Sequence, residues 1–322
     1  MNEDYLWDRS GPPDPEIERL ESALAPLRYR HRAQVVQLPP RFPVRWWGIA
    51  AAAAVVVAAA SLALLTPPAP AIAWQVDRVD GPASLGDRQA AVSMSLRAGQ
   101  TVRTGADTTM TLRADEFGTI EVGPHSELRA ATNRQVLLQR GLLEAYIWAP
   151  AREFVVDTPS ARAVDLGCQY TIQVDDSGDG LLKVSLGWVA FQFGDREAFI
   201  PAGASCVTRK RLGPGIPFYD DAPEALRRSL TAFEMGNSSA LPELLHAARP
   251  DDAITLWHLL TRVPEEDRGK VFDRFAEMVK LPKEVRREDV VRRDPHAIDL
   301  CWDALDLRNT EWWRGWKRPW GS

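Results

Sequence analysis

Gln135-Val-Leu-Leu-Gln-Arg-Gly-Leu-Leu-Glu-Ala-Tyr-Ile-Trp148 sets apolar against polar side chains along most of its length. Such alternation has the two-residue period of a half-buried strand rather than the 3.6-residue period of a helix. The same pattern appears in Thr108 to Leu112, Thr119 to Val122, Tyr170 to Val174 and Leu182 to Phe193. Turn-forming residues punctuate these runs at Gly99, Gly118, Gly123, Gly141, Pro159, Gly187 and Gly203. Short strands with turn signals this often predict an all-β sandwich or roll, placed here over residues 78–215.

N-terminal to that region the pattern changes abruptly. Trp46 to Leu65 is a run without a charged residue, rich in Ala, Val and Leu. About 20 apolar residues, at a rise of about 1.5 Å each, span a hydrocarbon core of roughly 30 Å. Trp46 and Trp47 stand where an interfacial aromatic belt would lie. Thr66-Pro67-Pro68-Ala69-Pro70 stops a helix and opens a Pro/Ala linker over 66–77. Arg28, Arg30, Arg32, Arg41 and Arg45 precede the run, and no basic excess follows it. The expectation is a single transmembrane helix over 46–65, in contact with membrane lipid. Its N-terminus would lie in the cytoplasm and its C-terminal domains in the periplasm, an inner-membrane location. A cleaved signal peptide is the alternative, because Ala71-Ile72-Ala73 resembles a cleavage site. Both readings export the β region.

Residues 1–45 are too few for a large core. Asp14 can cap a helix, Pro15 suits its first position, and Glu16 and Glu18 suit its positive end. Ile17, Leu20, Leu24 and Leu27 then fall on one face, and Tyr5, Leu6 and Trp7 precede them. Tyr5, Trp7, Ile17, Leu20 and Leu24 are therefore candidates for docking a cytoplasmic partner. A local knot of helix and aromatics, or a helix lying on the bilayer, would use the same residues.

After Pro217 helical spacing takes over. Leu226, Leu230 and Phe233 share a face, as do Ile254, Trp257 and Leu260, and as do Ile298, Trp302 and Leu305. Val271, Phe272, Phe275 and Met278 mark another helix, and Pro242, Pro250, Pro264 and Pro282 separate the set. Residues 216–322 are expected to form an α-helical domain. Its end carries Trp312, Trp313, Trp316 and Trp320 among basic residues. These rings could meet lipid headgroups or a partner, or fold back onto the helices.

Composition excludes several functions. Lys and Arg total 39 against 44 Asp and Glu, a net charge of -5 that suits nucleic-acid phosphates poorly. No Cys-x-x-Cys, His-Glu-x-x-His, Gly-x-Ser-x-Gly or phosphate-cradling glycine loop occurs, so no enzyme activity, cofactor or metal is expected. His125 follows Gly123-Pro124 without an evident nucleophile, and His246, His258 and His296 read as surface or core-edge residues of helices. Asp175, Ser177, Asp179 and Gly180 half-match a calcium loop, but Leu186 stands where a bidentate Glu is needed, so a solvated hairpin turn is expected. In an oxidising compartment Cys168 and Cys206, both in the β region, are candidates for a disulfide, with Cys301 left as a free buried thiol.

Several strings resemble FecR domains. Leu112-Arg-Ala-Asp-Glu-Phe-Gly118-Thr-Ile-Glu-Val-Gly-Pro124-His-Ser126-Glu-Leu128 is similar to their "dG-x-i-x-l-x-p-x-S-x-l" stretch. Gln139-Arg-Gly141-Leu-Leu-Glu-Ala-Tyr-Ile147 resembles their glycine-led strand. Val156-Asp-Thr158-Pro159-Ser-Ala161 and Leu166-Gly167-Cys168-Gln-Tyr170-Thr-Ile-Gln-Val174 resemble "v-x-T-P-x-A … G-T-x-F-x-V", with Cys168 at the usual Thr. Leu186-Gly187-Trp188-Val189-Ala-Phe191 and Pro201-Ala-Gly203 complete the order, over about residues 78–210. The resemblance implies a single-pass regulator of Gram-negative envelopes, of the iron-dicitrate sensor or anti-sigma type. Its periplasmic domain would meet an outer-membrane receptor or envelope protein, and its cytoplasmic end a sigma factor. The N-terminal segment is shorter than the family's sigma-binding region, and the C-terminal helices replace its receptor-contacting end. The expectation is an envelope signal-transduction protein coupling a periplasmic β domain to a cytoplasmic regulatory partner. The alternative is a structural or ligand-binding envelope module with no cytoplasmic output.

Overall fold

The computed structural model describes residues 15–25 and 74–316. The chain divides into two units, 1–67 and 68–322. In the first, Pro15–Leu24 is an α-helix, α1, with Glu16 and Glu18 in its first turn.

In the second unit the strands join into one hydrogen-bonded system of 18. Most neighbours are antiparallel, but Val155–Asp157 runs parallel to Gln135–Leu137, so the sheet is mixed. The long strand Gln135–Ile147 organises it. Its first half pairs with Glu127–Ala130 and its second half with Gly118–Val122 and Gln169–Val174. The change of partner falls at Gly141, whose φ of 96° is left-handed and where a Cβ would overlap Ser126. Only glycine satisfies both conditions. The Ser126 hydroxyl accepts from Leu142 N at 2.8 Å, which pins the bend. Two ladders thus close on one core that contains Val136, Leu138, Leu143, Ala145, Tyr170, Leu182 and Phe154.

The later strands are buried on both faces. Trp188, Val189, Ala190 and Phe191 are all buried, and so are Ala198, Phe199 and Ile200. Val189, Phe191, Ala198 and Ile200 point to the strand core, whereas Trp188, Ala190 and Phe199 belong to a second core shared with helices. A continuous apolar run is what a strand covered on two sides requires.

The covering helices are α2 (Glu224–Glu234), α3 (Leu241–Ala247), α4 (Ala253–Arg262), α5 (Glu265–Met278), α6 (Arg287–Val291) and α7 (Pro295–Asp303). Asp294 caps α7 through Ala297 N, followed by Pro295 at the first helical position. Arginines close other ends. Arg274 donates to Leu245 O and Ala248 O at 3.0 and 2.7 Å, and Arg268 donates to Leu260 O and Val263 O at 2.9 and 2.8 Å. These bonds satisfy carbonyls that a helix end leaves open.

The Trp-rich end folds back onto the second core. Trp302 and Trp313 stack with centroids 4.1 Å apart, and Phe199 meets Trp257, Trp302, Trp312, Trp313 and Trp316. Trp188 Nε1 donates to Arg308 O and Trp316 Nε1 to Glu197 Oε1. Arg152 lies over the Trp316 ring and donates to Trp312 O. Trp320 lies outside the described residues.

This architecture corrects the expected fold class. In place of a single transmembrane helix and a separate all-β sandwich or roll, the structure is a large mixed sheet that carries several helices, while the C-terminal region is helical as expected. Among the described residues no helix is long and apolar enough to cross a membrane. The run 46–65 lies outside the described residues. The physical reason for the second half of the correction is the two-sided burial at 188–200, which binds sheet and helices into a shared core.

Candidate functional site

The most unusual chemistry lies where the strand Arg162–Asp165 leaves the sheet. Asp165 is fully buried. Its Oδ1 accepts from Gly167 N at 2.7 Å and its Oδ2 from the Cys168 thiol at 2.6 Å. Gly187 makes the turn possible, because its φ is 72° and a Cβ there would overlap the Gly167 carbonyl. Burial pushes the Asp165 carboxyl up to about 7, although the bonds from Cys168 and the backbone oppose the shift. Burial, and then the neighbouring Asp165 charge, push the Cys168 thiol well above its usual range. Tyr170 is also fully buried, and its hydroxyl has no hydrogen-bond partner among the described residues. The arrangement can hold or release a proton near neutral pH. It does not make a nucleophile, because reactivity requires a thiolate.

Cys168 and Cys206 do not meet, which corrects the expected disulfide. Cys168, Cys206 and Cys301 are all free and buried. Gly180–Leu186 separates the strand that follows Cys168 from the one that holds Cys206, with Ile172 opposite Leu182 and Leu182 opposite Cys206. Two strand spacings are about 10 Å, beyond the roughly 7 Å limit for bridging Cα atoms. Burial raises the Cys301 thiol to about 12 and the Cys206 thiol further.

Other sequence candidates resolve into structural roles. Asp175 Oδ1 accepts from Ser177 N, Ser177 Oγ and Asp179 N, so its carboxylate closes the hairpin turn. His125 sits in a turn at φ 52°. His246 and His296 are exposed. His258 is not at the core edge but fully inside it. Its Nε2 accepts from Phe199 N at 3.0 Å, so Nδ1 carries the proton and donates to Ile254 O. Burial and then Arg262 lower its pKa to about 3, which leaves the ring neutral. Arg262 joins α4 to the sheet through Pro214 O and Glu197 O at 2.8 and 2.6 Å. Among the described residues no cluster of His, Cys, Asp and Glu could hold a metal ion.

Of the docking candidates, Leu20 and Leu24 project from α1 and are 60% and 55% exposed. Tyr5 and Trp7 lie outside the described residues, and Ile17 is on the helix. The sequence had one unread signal for the buried carboxyl: an Asp three residues before a Cys, with Gly167 between them to bend the chain back.

No protein-family model and no curated protein matches the chain. Two solved structures of a candidate anti-sigma factor from Parabacteroides distasonis are similar to it in part. Their sequences are 13% and 14% identical to this one, and each match covers 42% of this chain with a TM-score of 0.33. The chain spans 65% and 64% of the length of those two structures.

Proposed function

We propose that the protein is a FecR-type signal-transduction protein that acts as an anti-sigma-like regulator. In this reading α1 holds a regulatory partner, a sigma factor, and the β-rich unit receives the signal that changes that hold. The observation that carries the reading is the pair Leu20 and Leu24, more than half exposed on one face of a ten-residue helix. Covering a leucine contributes about 1.5–3 kcal/mol, so a partner groove over this face gains substantially. The ordered FecR-like strings give the partner its class, and Ser126, Gly141 and Gly187 within them hold the bend and the turn that shape the β unit.

The test is Leu20→Glu with Leu24→Glu. A Glu buried in such an interface costs several kcal/mol unless it is paired or protonated. The double variant should accumulate normally, lose capture of the sigma factor and change transcription from that factor's promoters. Unchanged capture and unchanged transcription would sink the regulatory reading and leave a ligand-binding module without output.

A further inference from the structure

An open cleft of roughly 640 Å³ lies among the helices. It lies between the N-terminal end of α4, the C-terminal end of α5 and the segment that follows α7. Its apolar surface comes from Tyr219, Ile254, Met278, Val279, Leu305 and Leu307. Its charged groups are the carboxylates of Asp221, Asp251 and Asp306 against the single ammonium of Lys280. The volume falls within the range of about 300–1,000 Å³ that ligand pockets occupy.

The charge at the rim is not neutralised from within. Asp221 pairs with Arg249 at 3.0 Å, but the same guanidinium also serves Asp252. Among the described residues the Asp251 and Asp306 carboxylates have no ion pair. Burial, and then the charges of Asp251, Asp252 and Asp221, hold the Tyr219 phenol above its usual range. The cleft therefore carries a negative potential. Asp306 also has a φ of 51°, a left-handed conformation that costs a residue with a side chain and recurs at ligand sites. Met278, half-buried at the cleft, is unbranched and can adapt to more than one apolar side chain.

We propose that this cleft binds a basic peptide segment from a partner protein. An aliphatic side chain would fill the space over Met278, Leu305 and Leu307, and flanking Arg or Lys residues would pair with Asp251 and Asp306. Leucine is the natural anchor for an aliphatic floor, and cations answer the Asp251 and Asp306 carboxylates, which have no ion pair among the described residues. The proposal does not depend on α1 or on the regulatory reading.

The probe is a blocked six-residue peptide with two leucines and two arginines, titrated into the full-length protein by fluorescence anisotropy. Two controls accompany it, one with glutamates in place of the arginines and one with serines in place of the leucines. The leucine–arginine peptide should bind saturably with a Kd below about 1 mM, and more weakly as salt screens the rim. Asp251→Asn with Asp306→Asn should weaken binding roughly five- to tenfold. Asn tolerates the left-handed backbone at position 306, so the variant should keep the circular dichroism of the parent. Leu307→Ala provides a second variant that removes apolar contact and leaves the charges in place, and it should also weaken binding. Equal binding of the glutamate or serine peptide, or unchanged affinity in the double variant, would overturn the proposal. So would the absence of saturable binding, or self-association of the chain that the double variant abolishes.

Discussion

Helices α1 and α4 are both ten residues long, and the contrast between them separates two meanings of an apolar stripe. In α4 every residue from Ala253 to Leu260 is buried, between the sheet on one side and the other helices on the rest. In α1 the leucines at 20 and 24 stand more than half exposed, beside Glu16, Glu18 and Glu21. Helical spacing of leucines records that a face can be covered. What covers it is decided by chain far away in sequence, and for α4 that chain is Phe199 and the Trp-rich end. For α1, Leu20 and Leu24 stay exposed.

The largest effect that sharpens this contrast is expected at Trp257. Its ring meets Phe199, His258, Trp302 and Trp313, and its Nε1 donates to Ile298 O. Trp257→Ala should cost about 3–5 kcal/mol, from the lost burial and the cavity left behind. Thermal unfolding followed by circular dichroism measures it. A cost below about 1 kcal/mol would mean that the helices are not truly joined to the sheet through this cluster.

A second test asks how dry the covered region is, and it uses two groups of opposite sign. Asp165 rises from 3.8 to about 7 on folding, so the folded state holds a proton that the unfolded chain has lost. The stability it contributes is present below pH 3.8 and disappears as pH rises toward 7. His258 falls from 6.5 to about 3, so its contribution is present above pH 6.5 and is lost as pH falls toward 3. Each slope is about 1.4 kcal/mol per pH unit at most, and between pH 6.5 and 3.8 the two nearly cancel. Asp165→Asn should expose the His258 slope, giving a protein that loses stability steadily on acidification through that window. His258→Gln should expose the opposite slope. Urea unfolding from pH 4 to 8 checks both, and identical pH profiles in parent and variants would show that water reaches these groups.

Much of the strand set was legible before any coordinates. The alternation in Gln135 to Trp148 became the strand Gln135–Ile147, and Tyr170 to Val174 became Gln169–Val174. Leu182 to Phe193 was read as one run, but Gly187 divides it into Gly180–Leu186 and Trp188–Phe193. The helices were equally clear, because Pro264 and the Asp294-Pro295 cap mark where α5 and α7 begin. Two-sided burial was less visible, since Trp188-Val189-Ala190-Phe191 reads as a strand but does not name the helix that covers Trp188. Pairing order was not legible at all. Cys168 and Cys206 looked like neighbours because nothing local reveals that Gly180–Leu186 runs between their strands. The candidate site was half visible. The α1 leucines follow from spacing, whereas the Asp165–Cys168 contact depends on a turn whose geometry Gly187 sets from another strand.

The smallest expected effect is on α1 itself. Leu20→Ala with Leu24→Ala removes apolar surface that is already more than half in water, and Ala is the stronger helix former. Stability should therefore change by no more than about 0.5 kcal/mol, the range of surface substitutions that break no packing. The same change made inside α4, Leu256→Ala with Leu260→Ala, removes two fully buried side chains and should cost at least about 4 kcal/mol. The two double variants have identical chemistry and differ only in cover. If the α1 pair lowers the unfolding midpoint as much as the α4 pair, its leucines are packed in solution and the docking face does not exist. If the midpoint holds while sigma-factor capture falls, the stripe on α1 is kept for a partner and not for the fold.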